Sequence, residues 1–102
     1  MANDKEIEQK IQDKGLNAPR LTPDMIEETI VKEEFHKLTD VTVCVLTLRN
    51  GFTVIGESAC ASPENYDREI GEEISRGNAT DKVWLVEGYL LKQKIYEGAT
   101  NE

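Results

Sequence analysis

A chain of 102 residues with a net charge of -8, 38% hydrophobic and 31% charged residues, has the composition of one small globular domain with little apolar surface to spare. Its acidic balance, 20 Asp and Glu against 12 Lys and Arg, disfavours a broad contact with a phosphate backbone, so direct nucleic-acid binding is not expected. No apolar run approaches the roughly 18 residues that span a bilayer, and the start MANDKEIEQK lacks an apolar secretory segment, so an intracellular protein with no membrane association is expected.

Residues 1–20 read as a flexible or weakly helical N-terminal arm. Asp4 is a candidate helix cap, Ile7 and Ile11 share one face, and Gly15 is placed to end the helix. One apolar pair gives such a helix little reason to dock, except against another subunit.

A single domain is expected over residues 21–98, followed by a disordered tail at 99–102. Its first start is Leu21-Thr22-Pro23, with Thr22 as cap, Pro23 in the first helical position and Leu21 stapled onto Ile26. Ile26, Ile30, Val31, Phe35 and Leu38 continue at helical spacing, which predicts an amphipathic helix from Pro23 to about Leu38.

From Val41 to Ala59 the period changes to that of strands around Asn50-Gly51, predicting a two-stranded antiparallel hairpin. A two-residue turn would set Arg49 opposite Phe52. Leu48, Leu46, Cys44 and Thr42 would then share a face with Thr53, Ile55, Glu57 and Ala59, and Cys44 and Cys60 would point to opposite sides. A three-residue turn with a bulge would shift this register. Both faces are partly apolar, so cover is expected on each.

Ser62-Pro63 repeats the cap-and-proline start and opens a helical stretch to about Tyr96, with Gly98 as its stop. Ile70, Ile74, Gly77, Asp81, Trp84, Gly88, Leu91 and Ile95 alternate four and three apart as a coiled-coil-like stripe, and Ala79, Val83, Val86 and Leu90 form a second one. Gly77-Asn78 marks the expected kink or break, since glycine costs a helix about 1 kcal/mol against alanine.

Catalytic motifs are absent from this pattern. His36 is the only histidine and offers neither a metal cage nor a nucleophile partner. The two cysteines have no CxxC spacing and suit small buried hydrophobes. Glu57 and Ser58 alternate across a strand, and RNGFTVIG lacks the lysine and hydroxyl residue that open a phosphate-binding helix. No catalytic residue, metal ligand or cofactor is predicted. The polar group most suggestive of binding is Arg76, Asn78, Asp81 and Lys82 at the expected break, with Arg68 two turns earlier and Arg49 at the hairpin turn. Asp81 on the apolar stripe needs a cationic or amide partner, either as a polar contact between helices or as the lining of a small pocket.

The order of TVCVLTLRNGFTVIGESAC and then SPENYDREIGEEISRGNATDKVWLVEGYLLKQK resembles the tailed-phage protein family named for gene product 49 of one coliphage and gene product 66 of a Shigella phage. The likeness runs from residue 22 to about 94, carried by Asn50-Gly51-Phe52, GESAC, IGEEISRGNA and EGYLL. It implies a phage-encoded, non-structural protein in the host cytoplasm and implies no activity. Members carry a glutamate where Gly77 stands, which implies a kink particular to this chain. The last helix also resembles, through an arginine, an NA pair and a leucine-rich stretch, phage anti-defence sponges that sequester cyclic nucleotide signals.

The expectation is therefore an α+β domain made of an amphipathic helix, a two-stranded hairpin and a long or broken C-terminal helix. It is expected to be a homo-oligomer and not an enzyme. As a phage accessory protein it would bind a host protein. As a sponge it would hold a small anionic nucleotide at a subunit boundary through Arg49, Arg68, Arg76 or Lys82.

Overall fold

The computed structural model describes residues 4–16 and 18–98; the tail expected over residues 99–102 lies outside them. Helix α1 (Asp4–Asp13) ends at Gly15, whose φ of +67° suits the left-handed stop. Arg20 ties this helix back to the domain through an ion pair with Glu8.

The expected amphipathic helix begins as predicted and stops early. Thr22 caps α2 (Pro23–Thr29), accepting a hydrogen bond from the Met25 N–H at 3.2 Å. After about two turns the chain straightens into β1 (Ile30–Leu38), so the second half of the expected helix is a strand. Its partner is β2 (Val41–Leu48), which pairs on its other side with β3 (Thr53–Ala59). The sheet is three-stranded and antiparallel, in the order β1-β2-β3. This answers the need for a neighbour to β2: as a central strand it hydrogen-bonds along both edges, and a lone hairpin is marginal in water.

The turn has three residues. Leu48 N–H donates to the Phe52 carbonyl and Gly51 N–H to the Leu48 carbonyl, both at 2.8 Å, and Gly51 takes φ +90°. The register accordingly places Cys44 opposite Gly56 and Thr47 opposite Thr53, one step from the two-residue pairing. A one-residue shift exchanges the β3 faces. The inner face is formed by the rows Lys37–Thr42–Ser58, Phe35–Cys44–Gly56 and Glu33–Leu46–Val54; the outer face by Leu38–Val41–Ala59, His36–Val43–Glu57, Glu34–Val45–Ile55 and Lys32–Thr47–Thr53. Cys44 and Cys60 thus share a side by strand alternation. They are both free thiols, because Cys60 lies four residues along β3 from the position opposite Cys44, about 13 Å away.

Ser62-Pro63 opens only a short 3-10 turn (Pro63–Asn65). The long helix α3 (Arg68–Tyr96) starts afresh with Asp67 as cap, accepting from the Ile70 N–H at 3.0 Å. It is one continuous helix of 29 residues, so the break expected at Gly77 is not formed: the i to i+4 hydrogen bonds and the docking of both flanking turns on the sheet outweigh a cost of about 1 kcal/mol. Gly98 (φ +77°) ends it as predicted, donating its N–H to the Ile95 carbonyl.

The core lies between α3 and the inner face, built from Ile26, Cys44, Leu46, Leu48, Val54, Ala79 and Val83. Helix α3 contributes Gly71, Ser75, Ala79 and Val83 at four-residue spacing. These small side chains let the helix axis come close to the sheet. At Gly56 a β carbon would meet Ala79 N at 2.2 Å and the Ser75 carbonyl oxygen at 2.4 Å, so the glycine admits the backbone of the helix itself. At about 43 Å, α3 outruns the strands. Its overhang makes the molecule 53 Å long with a radius of gyration of 16.3 Å, against about 13 Å for a compact chain of this size.

Candidate functional site

The six residues singled out by sequence take up different parts of the molecule. Arg49 is exposed on the β2-β3 turn, its backbone N–H held by the Thr29 carbonyl at 2.9 Å. Arg68 is the first residue of α3 and reaches along its own helix to Glu72 at 3.1 Å. Arg76, Asn78, Asp81 and Lys82 lie within two turns of α3, but the helical rotation of about 100° per residue spreads them around it.

Arg76 and Asn78 show this most clearly, since they grip opposite edges of the sheet. The Arg76 guanidinium pairs with Glu27 of α2 at 2.9 Å and with Glu33 of β1. These carboxylates, Glu27 foremost, hold its pKa above the ordinary arginine value. Asn78 Nδ2 donates to the Glu57 carbonyl of β3 at 2.8 Å. One side chain fastens α3 over β1 and the other over β3, so the pair acts as a two-sided clamp. A shallow depression of about 270 Å³ beside Arg76 is lined by Glu27, Ile30, Val31, Lys32 and Glu33; its two carboxylates occupy the cation that an anionic ligand would need. Asp81 and Lys82 are exposed. Among the described residues no three metal-ligating side chains gather, and no helix is long and apolar enough to cross a membrane.

Beyond these six residues, the open features of the molecule are surfaces. The outer face of the sheet is not covered by any described element. Val41, Val43, Val45 and Thr47 are half-buried there, and Ile55 and Leu38 remain 47% and 61% exposed. Charged groups edge this apolar strip: Lys32 and His36 flank Glu34 at 3.4 and 3.6 Å along β1, and Glu57 stands exposed on β3. The Val-Thr-Val-Cys-Val alternation of β2 carried the signal, but without a third strand the strip looked like two residues wide. The second open surface, marked in the sequence by the coiled-coil-like stripe, is the side of α3 turned away from the sheet. It carries Ile70 at 58%, Ile74 at 48% and Ile95 at 40% exposure.

Cys44 belongs to the core. It is fully buried beneath α3, and burial, reinforced by the nearby Glu33 carboxylate, pushes its thiol up to about 11. A thiol of this kind is an inert space filler at neutral pH.

Comparison with known proteins matches these elements to one family. Neither the curated proteins nor the solved structures searched gave a match. The family profile described as phage protein (N4 Gp49/phage Sf6 gene 66) matches residues 21–95, from the turn before α2 to the last turn of α3, leaving α1 outside. The chain therefore belongs to the N4 Gp49/phage Sf6 gene 66 family of phage proteins.

Proposed function

We propose that this protein is a non-catalytic phage accessory protein that works in the host cytoplasm by binding a host protein through the outer face of its sheet. The observation that carries this reading is the strip Val41, Val43, Val45, Ile55 and Leu38, left open on a sheet whose other face buries Cys44, Leu46, Val54 and Gly56 beneath α3. An antiparallel sheet with one face in water normally alternates apolar and polar residues; here the outward positions of the central strand are three valines and a threonine. A contiguous exposed apolar patch with a polar rim suits protein contact. The net charge of -8 steers such a face toward a partner whose own rim is basic.

The test is capture from infected cells with a tagged chain, comparing wild type with Val43→Lys after circular dichroism shows the variant folded. A stoichiometric host protein recovered by the wild type and lost from the variant supports the reading. Equal recovery by both places binding elsewhere and overturns it. A cyclic nucleotide that survives purification, or that raises the melting temperature where host proteins do not, replaces it with a sponge. Turnover of generic esters or phosphodiesters that disappears on Glu57→Gln or His36→Ala replaces it with an enzyme.

A further inference from the structure

Two kinds of glycine occur in α3. Gly71 has a structural reason within the chain, since a β carbon there would meet Thr42 Oγ1 at 2.6 Å. Gly77 and Gly88 have none: nothing lies within 4 Å of a β carbon built on either. Each nonetheless forgoes about 1 kcal/mol of helix stability relative to alanine. Both lie on the stripe Ile70, Ile74, Gly77, Asp81, Trp84, Gly88, Leu91 and Ile95, in which Ile70, Ile74, Asp81 and Ile95 are exposed and Gly77, Trp84, Gly88 and Leu91 half-buried, Trp84 with one side against the core. By helical rotation this stripe is centred roughly opposite the sheet-facing line of Gly71, Ser75, Ala79 and Val83.

The stripe reads nearly the same in both directions about its midpoint, between Lys82 and Val83. Counted outward, Asp81 answers to Trp84, Gly77 to Gly88, Ile74 to Leu91 and Ile70 to Ile95. Spacing alone would give symmetric positions; the matching of glycine with glycine and aliphatic with aliphatic is a property of this sequence. Such a stripe is complementary to itself when turned end for end, which is the requirement of a two-fold interface.

We propose that α3 pairs antiparallel with α3 of a second copy of this chain, about a two-fold axis level with Lys82 and Val83. Each Gly77 meets the other copy's glycine at position 88, letting the backbones approach closely at two symmetric notches. Aliphatic layers close both ends of a seam about 37 Å long. The exposed Asp81, which has no hydrogen-bond or ion-pair partner among the described residues, gains the indole N–H of the opposite tryptophan, a group that can only donate. Flanking the seam, Glu73 faces the opposite chain's lysine at position 94. Glu73 and Lys94 are both exposed and without ion pairs among the described residues, so the pairing gains two symmetric charge contacts of opposite sign. The two outer sheet faces then point away from the dimer on opposite sides, so the pairing stands whatever those faces bind.

The test combines oligomeric state with directed crosslinking. Native mass spectrometry at low micromolar concentration should give a dimer. In a Cys60→Ser background, Gly77→Cys and Gly88→Cys proteins should form a disulfide when mixed, while neither crosslinks alone, because two copies of position 77 lie about 16 Å apart along the axis. Glu73→Lys should weaken the dimer about tenfold, with Lys94→Glu in the same chain restoring it. Gly77→Cys crosslinking to itself would mean a parallel pair. That result, a wild-type monomer, or a dimer in which the folded cysteine variants fail to link in the mixture, would each overturn the proposal.

Discussion

Gly56 of β3 and Ala79 of α3 approach so closely that a β carbon on the glycine would stand 2.2 Å from the alanine's backbone nitrogen. The obstructing atoms belong to helix backbone, which cannot swing aside as a flexible side chain would. Gly56→Ala must therefore lift the middle of α3 off the sheet, losing contacts at Cys44, Val54 and Val83, and we expect it to cost about 3 kcal/mol in urea unfolding. Gly77→Ala, with nothing within 4 Å, should instead stabilise dilute protein by up to about 1 kcal/mol. Equal effects at the two positions would refute the packing described here.

Arg76 draws α2, β1 and α3 together through Glu27 and Glu33. Its side chain is 32% exposed, so water and salt screen the pairs and their worth is modest. Arg76→Met keeps the aliphatic stem but removes the charge, and should cost about 1 kcal/mol, less in 1 M salt. A double-mutant cycle with Glu27→Gln should recover much of that coupling. If Arg76 instead served a ligand site, the variant would leave stability untouched.

How far the sequence disclosed this arrangement depends on whether local and long-range preferences agree. At Thr22-Pro23 they agree, and the cap forms as read. Across residues 30–38 they conflict: Ile30, Val31, Phe35 and Leu38 satisfy a helical stripe, yet the β-branched Thr29-Ile30-Val31 and the open edge of β2 favour a strand. A buried central strand with an unpaired edge loses more than a helix turn gains, so tertiary pairing decides. The charges that suggested the wet face of a helix, Lys32, Glu33, Glu34 and Lys37, in fact line an edge strand and discourage further strand addition.

The candidate site was less legible than the fold for a related reason. Arg76 and Asn78 are two residues apart and looked like one polar cluster, but on a continuous helix they diverge toward β1 and β3. Only the strand order, which depends on residues well before Arg76 in the chain, shows that they are clamps. Surfaces left uncovered are legible only once it is known what covers the others.

The three-residue turn can be tested at its glycine. Gly51 sits at φ +90°, while Asn50 Oδ1 accepts from the Phe52 N–H at 3.0 Å and fixes the preceding corner. Gly51→Val should cost about 1–2 kcal/mol, whereas a D-alanine introduced there by synthesis should be tolerated. Equal losses with both would mean that the turn adopts another conformation.

Cys44 gives the domain an alkaline weakness of known sign. Its thiol is pushed up to about 11 from an ordinary 9.0, so the folded state keeps a proton that the unfolded chain releases. The stability this represents is fully present below pH 9 and is lost as pH rises toward 11. Cys44→Ala removes the titrating group. The variant should be less stable than wild type at pH 8, because it leaves a small void beside Gly56 and Leu46. Its deficit should then shrink by about 2 kcal/mol by pH 11. Parallel stability curves for the two proteins between pH 8 and 11 would show that the thiol ionises in place. The same burial predicts that a thiol reagent at pH 8 labels one cysteine, Cys60, and reaches Cys44 only on unfolding.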